Sequence, residues 1–173
     1  MAAPTSQADY LQTYALTGDT CRFLGSTAVE ALAASVSHPT LPVLYVARDS
    51  GRWEHLPRGV VETYAVECSA RPLRLLAQTP MSLSATGPRA LAVSTCGGYL
   101  LVSAATGGAW NAFILGRDGL PASAAIARKE TGALLERTTS LPTPHGLAFS
   151  PQQPYAIAAD PGCERITLLQ PSA

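Results

Sequence analysis

The chain has 173 residues, 47% of them hydrophobic, enough for one ordinary domain with a proper core. Lys+Arg and Asp+Glu balance at 12 each and 14% of residues are charged, so the charge points neither to nucleic acid nor to an anionic membrane surface. Glycine and proline at 14 each, and no apolar run long enough to cross a bilayer, favour many short strands and tight turns.

Residues 1–9 read as an extended or disordered start, and 10–173 as one domain. The opening "MAAPTSQADYLQTYALTGDT" has no basic first segment and no continuous apolar stretch. It therefore reads as no secretory signal, and the expected location is the cytoplasm. Cys21, Cys68, Cys96 and Cys163 lie far apart with no C-x-x-C pair. They read as small buried hydrophobes rather than disulfides or a metal site.

Three stretches then share one layout: "LAASVSHPTLPVLYVAR" (32–48), "RALAVSTCGGYLLVSAA" (89–105) and "PHGLAFSPQQPYAIAAD" (144–160). Each is an apolar strand, a polar turn and a second apolar strand. Aligned on Pro39, Thr95 and Pro151, the copies are spaced 95 − 39 = 56 and 151 − 95 = 56 residues apart. A second marker interleaves with the first: Leu11-x-x-Tyr14, Val61-x-x-Tyr64 and Trp110-x-x-Phe113 each open a new strand, and Ile166-x-x-Leu169 is a fourth copy without its aromatic residue. "CRFLGSTA" and "LRLLAQTP" supply a further strand after the first two, and "GLPASAAIA" stands in the corresponding place after the third. Residues 122–137 offer a short helix interrupted by Gly132, or a loop.

Four-stranded units at this repeat predict an all-β chain, an incomplete β-propeller of about three blades plus the start of a fourth. One such sheet cannot bury both faces alone, so blades stack around an axis. A β-sandwich accounts for the strand number but not for the spacing.

"SHPTLPVLYVARD", "GPRALAVSTCGGYLLVSAATGG", "GRDGLP" and "PHGLAFSPQQPYAIAADPGCERI" resemble, in order, the first blades of the seven-bladed lactonase family. That family contains the propeller-type 6-phosphogluconolactonases and the fungal muconate-lactonising enzymes. The resemblance runs from about Tyr10 to Gln170, and its strength lies in the order and spacing of motifs that are individually weak. It implies a hydrolase acting on a sugar lactone such as 6-phosphogluconolactone, with no cofactor and no metal. A closed ring of that kind needs more than twice this length, so the expectation is a fragment whose open blade edges pair with a second copy or a partner chain.

The family's site motifs are only partly kept. Arg48-Asp49 stands for Asn-Glu, Gly87-Pro88-Arg89-Ala90 for Gly-Pro-x-His, and Ala104-Ala105-Thr106-Gly107-Gly108 for Asn-Tyr-x-Gly-Gly. Thr138-Thr139 falls where Arg-Gln is usual, with Arg137 one residue out of register. Pro142-Thr143-Pro144-His145 keeps the second histidine of Pro-His-x-His, and Asp160-Pro161-Gly162 keeps Asp-x-Gly.

Opening a lactone requires a base to activate water and positive charge to stabilise the oxyanion. His145 and Arg137 are the catalytic candidates, and Glu136, Asp160 and Arg89 the substrate-binding ones. Arg89, Arg128 and Lys129 are the cations available for a phosphate group. Plain structural roles stand beside these: His145 bonding a loop carbonyl, Arg137 as a solvated charge, Asp160 as a turn former. His38 and His55 read as surface turn residues, and three scattered histidines argue against zinc. The glycines of "TCGG" and "ATGGAW" are turn glycines, since no phosphate-binding loop follows. The functional choices are a lactone hydrolase, a propeller that binds without catalysis, or a remnant whose edges must be covered.

Overall fold

The computed structural model describes residues 9–67, 72–122, 126–129, 142–153 and 155–170. These residues form only antiparallel sheets and one 3-10 turn (Pro161–Cys163). A hairpin comes first, β1 (Asp9–Thr17) with β2 (Thr20–Val29). Then follow two four-stranded sheets: β3 (Leu32–Ser37), β4 (Val43–Arg48), β5 (Val60–Val66) and β6 (Leu73–Pro80), and β7 (Thr86–Val93), β8 (Tyr99–Thr106), β9 (Ala109–Ile114) and β10 (Ile126–Lys129). A three-stranded sheet closes the series, β11 (Gly146–Phe149), β12 (Ala156–Asp160) and β13 (Arg165–Leu169). In each sheet the spatial order follows the chain order, so β3, β7 and β11 are edge strands. These edges lie beside one another, β3 against β7 and β7 against β11, which fans the sheets around a common side. Prolines fall where no ladder hydrogen bond is lost, Pro80 on outer edge β6 and Pro88 on inner edge β7.

The pairing registers confirm the 56-residue repeat. Ala34 pairs with Ala47, Ala90 with Ser103 and Gly146 with Ala159. The second marker holds its phase as well: Tyr64 pairs with Leu44, Phe113 with Leu100 and Leu169 with Ala156. A bulge between Thr13 and Tyr14 in β1 matches one between Thr63 and Tyr64 in β5, which identifies the hairpin as the outer half of a four-stranded unit. Among the described residues the series thus runs in another phase than three units and the start of a fourth: two whole units, with an outer half before them and three inner strands after. Of the segment read as either helix or loop, Ile126–Lys129 is strand and pairs with β9; residues 130–137 lie outside the described residues.

Alternation along β4 shows how the layers are held. Val43, Tyr45 and Ala47 point into the larger core with Val61, Leu91, Leu100, Val102 and Phe113, between the two four-stranded sheets. Leu44 and Val46 point the other way and pack with Leu11, Val29 and Tyr64 against the hairpin. A strand buried on both faces needs apolar residues at every position, and "VLYVA" supplies them. The Tyr45 hydroxyl donates 2.6 Å to the Gly119 carbonyl, in the turn that follows β9 of the next sheet. Burial, with Asp118 nearby, raises that phenol to about 12, so it stays a donor.

Candidate functional site at the inner-strand ends

One end of the sheets gathers Arg48-Asp49, Gly87-Pro88-Arg89-Ala90, Ala104–Gly108, Pro142–His145 and Asp160-Pro161-Gly162; Thr138-Thr139 lies outside the described residues. Strands β4, β8 and β12 finish there, and β7 and β11 begin there. Asp49 accepts a 3.1 Å bond from the Gly87 backbone N–H, tying the exit of β4 to the start of β7. The β8–β9 turn is tight: a side chain at Gly107 would run into the Ser84 carbonyl, and one at Gly108 would meet Pro142. With φ of +86° and +57°, these two positions favour glycine on conformation as well. Packing therefore explains why the glycines of that motif are present.

His145 stands one residue before β11, and its backbone is fixed from two sides. Its N–H donates 2.9 Å to the Ala159 carbonyl, and its carbonyl accepts 2.8 Å from Ser103 Oγ of the neighbouring sheet. The imidazole is exposed and takes no part in those bonds.

Arg89 lies at the bulge of β7, the extra residue between the pairs Pro88–Ala104 and Ala90–Ser103, and is also exposed. Its place in the repeat is that of His145: 145 − 89 = 56, with Ala33 the third member at the matching bulge of β3. A buried proline precedes each, Pro88 and Pro144. Equivalent positions at the inner edges of adjacent sheets are thus an exposed arginine and an exposed histidine.

Asp160 is 1% exposed. Its Oδ1 accepts from the Thr143 N–H at 2.8 Å and the Cys163 N–H at 3.2 Å, capping the 3-10 turn and holding the loop that leads to His145. This is turn-forming work, and it positions His145. Glu136 and Arg137 lie outside the described residues, as do the side chains of Arg128 and Lys129.

Arg48 and Asp49, which stand where the resemblance expects Asn-Glu, are both engaged within the fold. Arg48 bonds Glu62 at 2.7 Å and Glu30 at 3.1 Å. Glu62 is buried and also accepts from Tyr64 at 2.6 Å and Gln78 at 2.8 Å. Burial by itself raises a carboxyl, but the three hydrogen bonds and the Arg48 charge outweigh it and hold Glu62 below its ordinary value. Burial and the same carboxylate push the Tyr64 phenol well up. The sequence carries a signal for this network that the strand markers pass over: Gln12-x-Tyr14 in β1 repeats Glu62-x-Tyr64 and makes the same bond, Tyr14 Oη to Gln12 Oε1 at 2.9 Å. His38, read as a surface residue, is buried at the opposite end of the sheets.

No family model and no curated protein matches the sequence. Solved structures do. The periplasmic gluconolactonase of Pseudomonas aeruginosa superposes with a TM-score of 0.72 at 19% identity, over 91% of this chain and 45% of that one. A Bacteroides uniformis protein provisionally described as a 6-phosphogluconolactonase gives 0.67 at 24% identity, over 86% and 41%. A similarly described Bacteroides fragilis protein gives 0.66 at 19%, over 97% and 49%. The fold is that of a β-propeller.

The sheets are accordingly blades, and β3, β7 and β11 are their innermost strands around the propeller axis. The chain spans less than half the length of the solved propellers it resembles. Arg89 and His145 occupy the axis-side edge of two neighbouring blades. Among the described residues no group of three His, Cys, Asp or Glu side chains is placed to hold a metal ion.

Proposed function

We propose that this end of the propeller is a sugar-lactone site acting on 6-phosphogluconolactone or a related lactone. His145 takes a proton from water as the water oxygen bonds to the lactone carbonyl carbon. Collapse of the tetrahedral intermediate breaks the ring C–O bond, and the leaving alkoxide receives the proton from the imidazolium. Arg89 supplies the fixed positive charge, for the oxyanion or for a phosphate group that its fork bonds in two places. Arg137, one residue out of register with the arginine that the resemblance implies, is assigned a catalytic role, and Glu136 beside it is assigned to bind the sugar. The observation that carries the reading is the shared repeat position of Arg89 in β7 and His145 just ahead of β11, both exposed.

The test is hydrolysis of 6-phosphogluconolactone above its spontaneous rate. The reading expects a rate that His145→Ala removes and Arg89→Ala lowers; a wild-type rate equal to the spontaneous one rejects it. A second reading, binding without turnover, is favoured by Ala90 and Ala104, apolar where the family carries histidine and asparagine. It expects calorimetric binding of 6-phosphogluconate with no hydrolysis.

A further inference from the structure

Two loops meet at the site end of the four-stranded blades: 49–59, joining β4 to β5, and 81–85, joining β6 to β7. Backbone bonds zip them together. The Gly59 N–H donates to the Ala85 carbonyl at 2.8 Å, and the Gly59 carbonyl accepts from the Met81 N–H at 3.0 Å. The Pro57 carbonyl accepts from the Ser84 N–H at 2.7 Å, and Asp49 adds its bond to the Gly87 N–H. Arg89 stands two residues beyond Gly87, so the junction adjoins the proposed site.

Two kinds of cost concentrate there. Trp53 and Leu56 exchange both backbone bonds, at 2.9 and 3.0 Å, around a turn whose Glu54 and His55 have φ +49° and +67°. Such two-residue turns favour Asn-Gly or Asp-Gly. Ser84 in the other loop has φ +68°, so three of the five left-handed non-glycine residues among the described ones fall here. Backbone strain of this sort clusters at functional sites. The second cost is polar. Ser50 Oγ, Arg58 Nε and Ser82 Oγ are shielded from solvent and have no hydrogen-bond partner. Neither has Nδ2 of the fully buried Asn111, whose Oδ1 accepts from the Ser82 N–H at 2.8 Å. All four groups can donate, so what they lack is an acceptor. One acceptor already sits at the edge: Arg58 Nη2 bonds the Glu54 carboxylate at 2.8 Å, and the Glu54 side chain is 67% exposed against 18% for Arg58.

We propose that this junction is a phosphate subsite, where the phosphate of a sugar-lactone substrate displaces the Glu54 carboxylate from Arg58. The assignment rests on the sugar-lactone reading and adds the group that the substrate carries. A phosphate monoester offers three acceptor oxygens where a carboxylate offers two. The Arg58 fork bonds it in two places, through Nη2 and the unpartnered Nε. The Ser50 and Ser82 hydroxyls and the Asn111 amide donate to the remaining oxygens. Glu54 is a stand-in on a strained turn, held by an exposed ion pair that costs little to break. Arg89 is then left for the lactone carbonyl.

Calorimetric titration of wild type, Arg58→Gln, Glu54→Gln and Glu67→Gln with inorganic phosphate, 6-phosphogluconate and gluconate tests this. Wild type is expected to bind 6-phosphogluconate more tightly than gluconate. Arg58→Gln is expected to erase that preference, weakening the two phosphate ligands about tenfold or more. Glu54→Gln is expected to tighten both about threefold, a gain that a damaged fold cannot give. Glu67→Gln removes the same charge from an ion pair with Arg74 at the other end of β5, and is expected to leave binding unchanged. A wild type that binds both sugar acids equally, a preference that survives in Arg58→Gln, or a Glu54→Gln protein that binds no tighter would each overturn the proposal. Phosphate binding that responds to these variants while neither sugar acid binds would support the anion site and reject the lactone reading. A wild type that binds none of the three overturns both.

Discussion

The imidazole Nε2 of His38 lies 3.2 Å from the Gly97 carbonyl oxygen and joins the β3–β4 turn to the β7–β8 turn of the next blade. Nδ1 of the same ring accepts from the Thr40 and Leu41 N–H groups at 3.2 and 3.0 Å. The ring proton is thus on Nε2, donating across the blade interface. Gly97 has φ +72°, and a Cβ there would sit 2.5 Å from the His38 ring. His38→Ala is expected to cost about 2 kcal/mol in urea denaturation, and Gly97→Ala a similar amount. The double variant is expected to lose less than their sum, because removing the ring relieves the clash.

Glu62 gives a pH prediction. Its folded carboxyl lies below the ordinary value of 4.5, so its share of the stability is complete above that value. That share is lost as pH falls through the lower folded value. Glu62→Gln is expected to cost about 3 kcal/mol at neutral pH, since the exposed Glu30 is then the carboxylate left to pair with Arg48. Denaturation curves of the two proteins against pH should converge in acid. A constant gap between them would show that the carboxylate's charge is not what stabilises the interface.

Asp160→Ala removes the acceptor for two backbone N–H groups. A cost of about 2 kcal/mol is expected. Hydrogen exchange at the Thr143 amide should quicken while amides in β8 keep their protection, because the tie is local to the loop ahead of His145.

Tyr45→Phe deletes the hydroxyl that reaches Gly119 and leaves that carbonyl unpaired in the core. The expected loss is about 1.5 kcal/mol in thermal or urea unfolding, with the mutant fold unchanged.

The propeller was legible because its signal is redundant. A 56-residue period recurs in two interleaved markers, and a slip of one residue in any strand would turn its buried face outward. The phase of the repeat was less legible, since the markers show where strands begin but not which edge faces the axis. The bulge before Tyr14, matching that before Tyr64, decides it. His145 and Arg89 were each legible as candidates, whereas their equivalence required the pairing registers. The part Arg48 plays was hidden, because its partners Glu62 and Glu30 lie 14 and 18 residues away and meet it only across strands. His38 was misread for a related reason: a turn residue is exposed by default, and only the neighbouring blade buries it.

The central claim is that Arg89 and His145 serve one binding site. Calorimetric titration with 6-phosphogluconate of wild type, Arg89→Ala, His145→Ala and the double variant tests it most directly. Each single change is expected to weaken binding about tenfold or more, and the double change by less than the product of the two, as groups sharing a ligand do. Either single variant binding as tightly as wild type would contradict it.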